Sequence, residues 1–167
     1  MSIDRARMME ARQCIAARIT TPPKLAIIIG TGLEGILTAV KAAAVIPYAE
    51  IPGFVRTTVS AHAGELVLGS LGGTSVAVMN GRCHLYEGYT VEEVVFPVYV
   101  MRVLGATHLL VSNACGGINP AFRAGSIVVV DDHINLMGVN PLTGPNDDRL
   151  GPRYPDMFHA YDPAFRD

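Results

Sequence analysis

The sequence predicts an α/β fold, a mixed central sheet flanked by helices, and two observations carry that expectation. Apolar β-branched runs of strand length alternate with stretches of helical spacing, the pattern of a layered α/β domain. One pair of runs is split by Gly72-Gly73, a hairpin signal that makes part of the sheet antiparallel. Half of the 167 residues are hydrophobic and only 17% are charged, which suits a heavily buried core. No repeat, linker or low-complexity segment interrupts the chain, so residues 1–167 read as a single domain.

In chain order, Ser2, Arg5, Met8, Met9, Arg12, Ile15, Ala16 and Ile19 have the spacing of an amphipathic helix, stopped by Thr20-Thr21-Pro22-Pro23. Leu25 to Ile29 is an apolar, β-branched run and reads as a strand buried on both faces. It ends in Gly30-Thr31-Gly32, and Ile36 to Val45 follows as a second helical stretch. Glu65 to Leu71 and Thr74 to Met79 form the hairpin around the two glycines. Val91 to Leu104 is helical in spacing, with Pro97 a candidate kink or late start. His108 to Val111 and Ile127 to Val130 are two further buried-strand signals. Asp162-Pro163 is a helix start with only four residues after it, too few to form a helix body. That predicts a fold truncated at its carboxyl end, with a frayed tail as the alternative.

Composition excludes several classes of function. A formal net charge of −2 supplies no field for nucleic acid or an anionic membrane. Any anion site must therefore be built locally. The amino end alternates charged and apolar residues without the core of a secretory signal, and no apolar run nears the roughly eighteen residues of a membrane span. Cys14, Cys83 and Cys115 are far apart and odd in number, which suits a reduced, cytoplasmic chain. The five histidines show no short ligand spacing, so no metal is expected.

Three segments carry chemistry. Gly30-Thr31-Gly32-Leu33-Glu34-Gly35 lies between a strand and a helical stretch, where backbone N–H groups and a hydroxyl can cradle a phosphate. It also matches the dinucleotide fingerprint, and Glu50 sits about twenty residues on; Pro47 then fits poorly in the second parallel strand that fingerprint needs. In Asn80 to Tyr89, an extended backbone puts Arg82, His84 and Tyr86 on one face. That offers a guanidinium fork, an imidazole and an aromatic hydroxyl to a phosphate and a sugar. The alternative is a solvated strand edge. Ser112-Asn113-Ala114-Cys115-Gly116-Gly117 follows a strand, and its small residues allow close backbone approach to a ligand. Cys115 reads better as a small packed thiol than as a nucleophile.

Taken together these segments resemble the purine nucleoside phosphorylases, specifically the trimeric family acting on inosine and guanosine. The likeness runs from about Pro23 onward. It rests on Ile29 to Leu33, Ala61-His62-Ala63-Gly64, Gly81 to Tyr89, Ser112 to Pro120, Asp132 to Leu136 and Gly144 to Asp147. The resemblance implies a nucleoside phosphorylase-like fold and phosphorolysis of purine ribonucleosides, with inorganic phosphate as co-substrate and no cofactor. It implies that Thr31 stands for a phosphate-binding serine, and that His62, Arg82, His84 and the Ala114 N–H are further phosphate contacts. It makes Tyr86 a ribose contact, and Tyr154 an aromatic reaching a neighbouring subunit's ribose site in a homotrimer. Glu87 is implied as the group that orients His84, the pair forming the catalytic assignment. In the family the base-binding carboxylate and amide lie beyond Asp167. The alternative reading is therefore a non-catalytic phosphate- or nucleoside-binding fragment or assembly subunit. The chain also departs from the family pattern. Cys115 replaces an alanine, Ser60 replaces a more rigid neighbour of His62, and Glu34 replaces a small residue. A carboxylate at about 8 Å from phosphate costs about 2 kcal/mol at an effective dielectric near 20, unless its side chain points into solvent.

Overall fold

The computed structural model describes residues 3–57, 63–158 and 160–166. It divides into two compact units, Ile3–Ala114 and Cys115–Asp167.

The first unit holds the sheet. Helix α1, Arg5–Ala16, is capped by Asp4, whose carboxylate accepts the Arg7 N–H at 3.1 Å. Its stripe of Met8, Ala11 and Ile15 is fully buried. Strand β1, Leu25–Ile29, follows; a 3₁₀ helix, Glu34–Ala39, leads into β2, Lys41–Pro47. Strands β3, Glu65–Leu71, and β4, Thr74–Asn80, form the expected hairpin. Gly72 and Gly73 both take positive φ, 57° and 84°, as the turn between them requires. Helix α2, Val91–Leu104, is capped by Thr90 and runs through Pro97 without ending. Near its carboxyl end the Arg12 guanidinium of α1 donates to the Val103 carbonyl at 2.9 Å. Strand β5, His108–Val111, completes the unit.

The sheet order is β2-β3-β4-β1-β5, with β4, β1 and β5 parallel and β2, β3 and β4 antiparallel. The mixed sheet is thus as predicted. On one face Ile27, Ile29, Val67, Val76 and Val78 form a core cluster, covered by Ile36, Leu37 and Val40. Side chains of the other face, among them Ala26, Ile28, Leu66, Leu68 and Ala77, are buried too. Strand β1 lies inside the sheet between β4 and β5, with both faces buried, and this explains its unbroken apolar run.

Three expectations need correction. Ile36 to Val45 is not a helix: the 3₁₀ turn ends at Ala39, and the segment from Lys41 pairs antiparallel with β3. The alanines there favour helix locally, but register with a preformed hairpin edge overrides a weak propensity. Strand β5 forms where expected but is not buried; Leu109, Leu110 and Val111 are 41–54% exposed. It is the outermost strand, so it gains the cover of β1 on one edge alone among the described residues. Ile127 to Val130 forms no strand and is exposed, because no described segment pairs with it.

The second unit consists of turns held by local side-chain bonds, such as Arg149 to both oxygens of Asp147 at 2.6 Å. Asp162 caps the single-turn helix α3, Pro163–Arg166, accepting from the Ala164 and Phe165 amides, as the Asp-Pro signal predicts. Among the described residues no helix is long and apolar enough to cross a membrane.

Candidate functional site at three parallel strand ends

Because β4, β1 and β5 are parallel, their carboxyl ends share one edge of the sheet. The three segments that carry chemistry in the sequence leave from those three ends: Gly30 after β1, Gly81 after β4 and Ser112 after β5. Open sheets bind ligands at such ends, where backbone groups are no longer consumed by the ladder.

Ser112 joins the three. Its hydroxyl accepts the Gly30 N–H at 2.8 Å and lies 3.4 Å from the Ile28 carbonyl. Its carbonyl accepts Nη1 of Arg82 at 2.6 Å. The Arg82 guanidinium is thereby fixed beside the turn that carries Thr31 and the segment that carries Ala114. Gly30 is needed for the closeness of this junction: a Cβ there would lie 2.4 Å from the Ser112 carbonyl oxygen and 2.7 Å from the Asn113 Cα.

A second anchor holds the β4 end. Tyr48, 2% exposed, donates its hydroxyl to the Gly81 carbonyl at 2.6 Å, immediately before Arg82. Burial, with Cys83 and Glu65 nearby, raises its pKa far above the ordinary phenol range, so it is a permanent donor.

His84, Tyr86 and Glu87 form a compact group. Glu87 Oε1 lies 2.8 Å from His84 Nδ1 and also accepts the His84 backbone N–H at 2.8 Å. The Glu87 side chain is 2% exposed and that of His84 23%, so a nearly buried carboxylate fixes the ring's orientation. The Tyr86 ring stacks on His84 with centroids 4.7 Å apart and is itself 77% exposed. The extended backbone expected here is only partly present. Leu85–Glu87 is a 3₁₀ turn, so stacking, rather than strand alternation, holds His84 and Tyr86 on one side.

The structure therefore brings together the Thr31 turn, Arg82 and the Ala114 segment, with His84, Tyr86 and Glu87 following Arg82 in the chain. His62 lies outside the described residues. Tyr154 belongs to the second unit, 87% exposed, with the Arg153 guanidinium 5.9 Å from its ring centroid. Ser112 and Tyr48 are contributors that sequence reasoning did not single out. The position of Ser112 at a strand end was a usable signal; nothing local marked Tyr48. Beside the turn, Ile27, Ile29, Leu33, Ile36 and Leu110 line an apolar hollow with Ser112 at its edge.

The topology also disposes of the dinucleotide alternative. A Rossmann unit pairs its second strand parallel to the first. Here β2 is an antiparallel edge strand, and Glu50 beyond it pairs with Arg18 at 3.2 Å.

A family model described as the phosphorylase superfamily matches residues 24–167. The chain belongs to the phosphorylase superfamily. The chain is 46% identical over 164 residues to purine nucleoside phosphorylase 1 of Geobacillus stearothermophilus, covering 98% of itself and 60% of that protein. It is 49% identical over 147 residues to the purine nucleoside phosphorylase of Mus musculus, covering 86% of itself and 51% of that protein. Among solved structures it is similar to isoform 2 of the Schistosoma mansoni purine nucleoside phosphorylase in complex with cytosine and ribose-1-phosphate. The TM-score there is 0.89 at 41% identity, over 98% of this chain and 59% of that one. The resemblance read from the sequence thus extends over most of the chain, which spans about half to three-fifths of the length of these relatives.

The cysteines make a separate prediction. Cys83 lies within 3.7 Å of the Val55 carbonyl, and burial, reinforced by Glu87 and Glu93, pushes its thiol up to about 11. At pH 8 only about one part in a thousand is then thiolate, the reactive form. Cys115 is exposed. Brief iodoacetamide treatment at pH 8 is expected to label Cys115 well before Cys83, read by peptide mass spectrometry; equal labelling would contradict this account of the Cys83 surroundings.

Proposed function

We propose that this chain supplies the phosphate seat and part of the ribose wall of an enzyme that phosphorolyses purine ribonucleosides of the inosine and guanosine type. The products are free purine base and ribose 1-phosphate. The observation that carries the reading is the Ser112 junction, which holds a glycine turn, an arginine and a small-residue segment at one sheet edge. An anion bound there meets a guanidinium, a threonine hydroxyl and backbone N–H groups without any excess of positive charge on the protein as a whole.

In this scheme Thr31, His62, Arg82, His84 and the Ala114 N–H hold inorganic phosphate, the co-substrate, and no cofactor takes part. A phosphate oxygen bonds to the anomeric carbon as the bond from that carbon to the purine nitrogen breaks. The purine leaves with the bonding pair and takes up a proton. As the sugar develops positive character, the held phosphate supplies both the nearby negative charge and the nucleophile. Glu87 keeps the His84 ring oriented toward phosphate, and Tyr86 lies against the ribose. Tyr154 reaches the ribose site of a neighbouring copy, so the working form is a homotrimer, and the reduced cysteines suit a cytoplasmic enzyme.

The test follows release of hypoxanthine from inosine by the protein that carries this chain, with and without orthophosphate. Release that requires phosphate and yields ribose 1-phosphate is expected. Release of free ribose independent of phosphate would overturn the proposal.

A further inference from the structure

The glycine turn contains its own anionic ligand. Both carboxylate oxygens of Glu34 lie against the Gly32 N–H, at 2.9 and 3.1 Å. Gly32 closes the Gly30-Thr31-Gly32 turn, beyond the end of β1, with φ of 90°. A carboxylate oxygen and a phosphate oxygen make the same demand on that N–H, each as a charged acceptor. Both cannot occupy it, and a carboxylate that stays close to a bound phosphate repels it.

Glu34 is also in a position to yield. It is exposed, at the start of the 3₁₀ helix Glu34–Ala39, and Gly32 and Gly35 beside it have open space around them. We infer that Glu34 is an internal competitor for the phosphate seat, a residue that sets phosphate affinity by holding the Gly32 N–H until phosphate displaces it. This rests on the reading that the turn at the β1 end binds phosphate.

The experiment titrates orthophosphate into the full chain by calorimetry, for the wild type and for Glu34→Ser and Glu34→Gln. Removing the competing charge-assisted bond is expected to tighten phosphate binding about tenfold or more in Glu34→Ser. Glu34→Gln, which keeps an acceptor but loses the charge, should fall between. Adding Arg82→Ala to Glu34→Ser should abolish the gain, since both residues address one seat. Phosphate bound by the variants alone is the same result at its limit. Variants that bind phosphate no more tightly than the wild type would overturn the inference and leave the phosphate seat standing. A gain that survives Arg82→Ala would overturn it as well, by placing the anion elsewhere. Phosphate binding by none of the proteins would overturn both the inference and the function beneath it.

Discussion

Arg82→Ala is expected to raise the phosphate concentration for half-saturation about a hundredfold, while the nucleoside requirement changes far less. The guanidinium is held at the shared strand edge through its 2.6 Å bond to the Ser112 carbonyl. Removing it takes away the main charge facing the anion, and a purine nucleoside has no matching negative group to lose. Arg82→Lys should recover little. An ammonium cannot both hold the Ser112 carbonyl and present a planar fork to phosphate oxygens. Phosphate titration and initial-rate analysis of the three proteins would check this. An equal loss toward phosphate and nucleoside, or full recovery by lysine, would contradict the role given to Arg82.

Gly30→Ala is expected to destabilise the sheet unit strongly. Its Cβ would meet the Ser112 carbonyl oxygen at 2.4 Å and the Asn113 Cα at 2.7 Å, both backbone atoms with no rotamer to relieve the clash. Overpacking of this kind costs about 1–3 kcal/mol where side chains can yield, and backbone contacts place it at about 3 kcal/mol or more. The β1 and β5 ends must separate, which also breaks the 2.8 Å bond from Gly30 to Ser112. Thermal or urea unfolding should show the loss of stability, and phosphate binding should weaken with it. Wild-type stability in Gly30→Ala would mean that the two strand ends are not packed together as described.

Much of this junction was legible in the sequence, for identifiable reasons. Strand β1 and the β3–β4 hairpin were marked by β-branched apolar runs and the Gly72-Gly73 pair, local signals that the sheet reinforces. Strand β2 was not, since Lys41 to Ala44 has helical composition and its strand state depends on pairing with β3 more than twenty residues on. Ile127 to Val130 shows the opposite failure: a strand-like composition without a described partner stays irregular. At the site, Arg82 and His84 could be named because a guanidinium and an imidazole can be read directly from the sequence as anion-binding groups. Ser112 and Tyr48 act through bonds to backbone atoms at positions 30 and 81, and such long-range pairings leave no spacing to read.

The most direct test of the central claim is a residue-resolved titration of the full chain with orthophosphate, followed by amide chemical shifts in NMR. The account predicts saturable shifts concentrated at Thr31, Gly32, Arg82 and Ala114, the residues around the three parallel strand ends. Saturation with those four amides unmoved, or shifts confined to other parts of the chain, would contradict it.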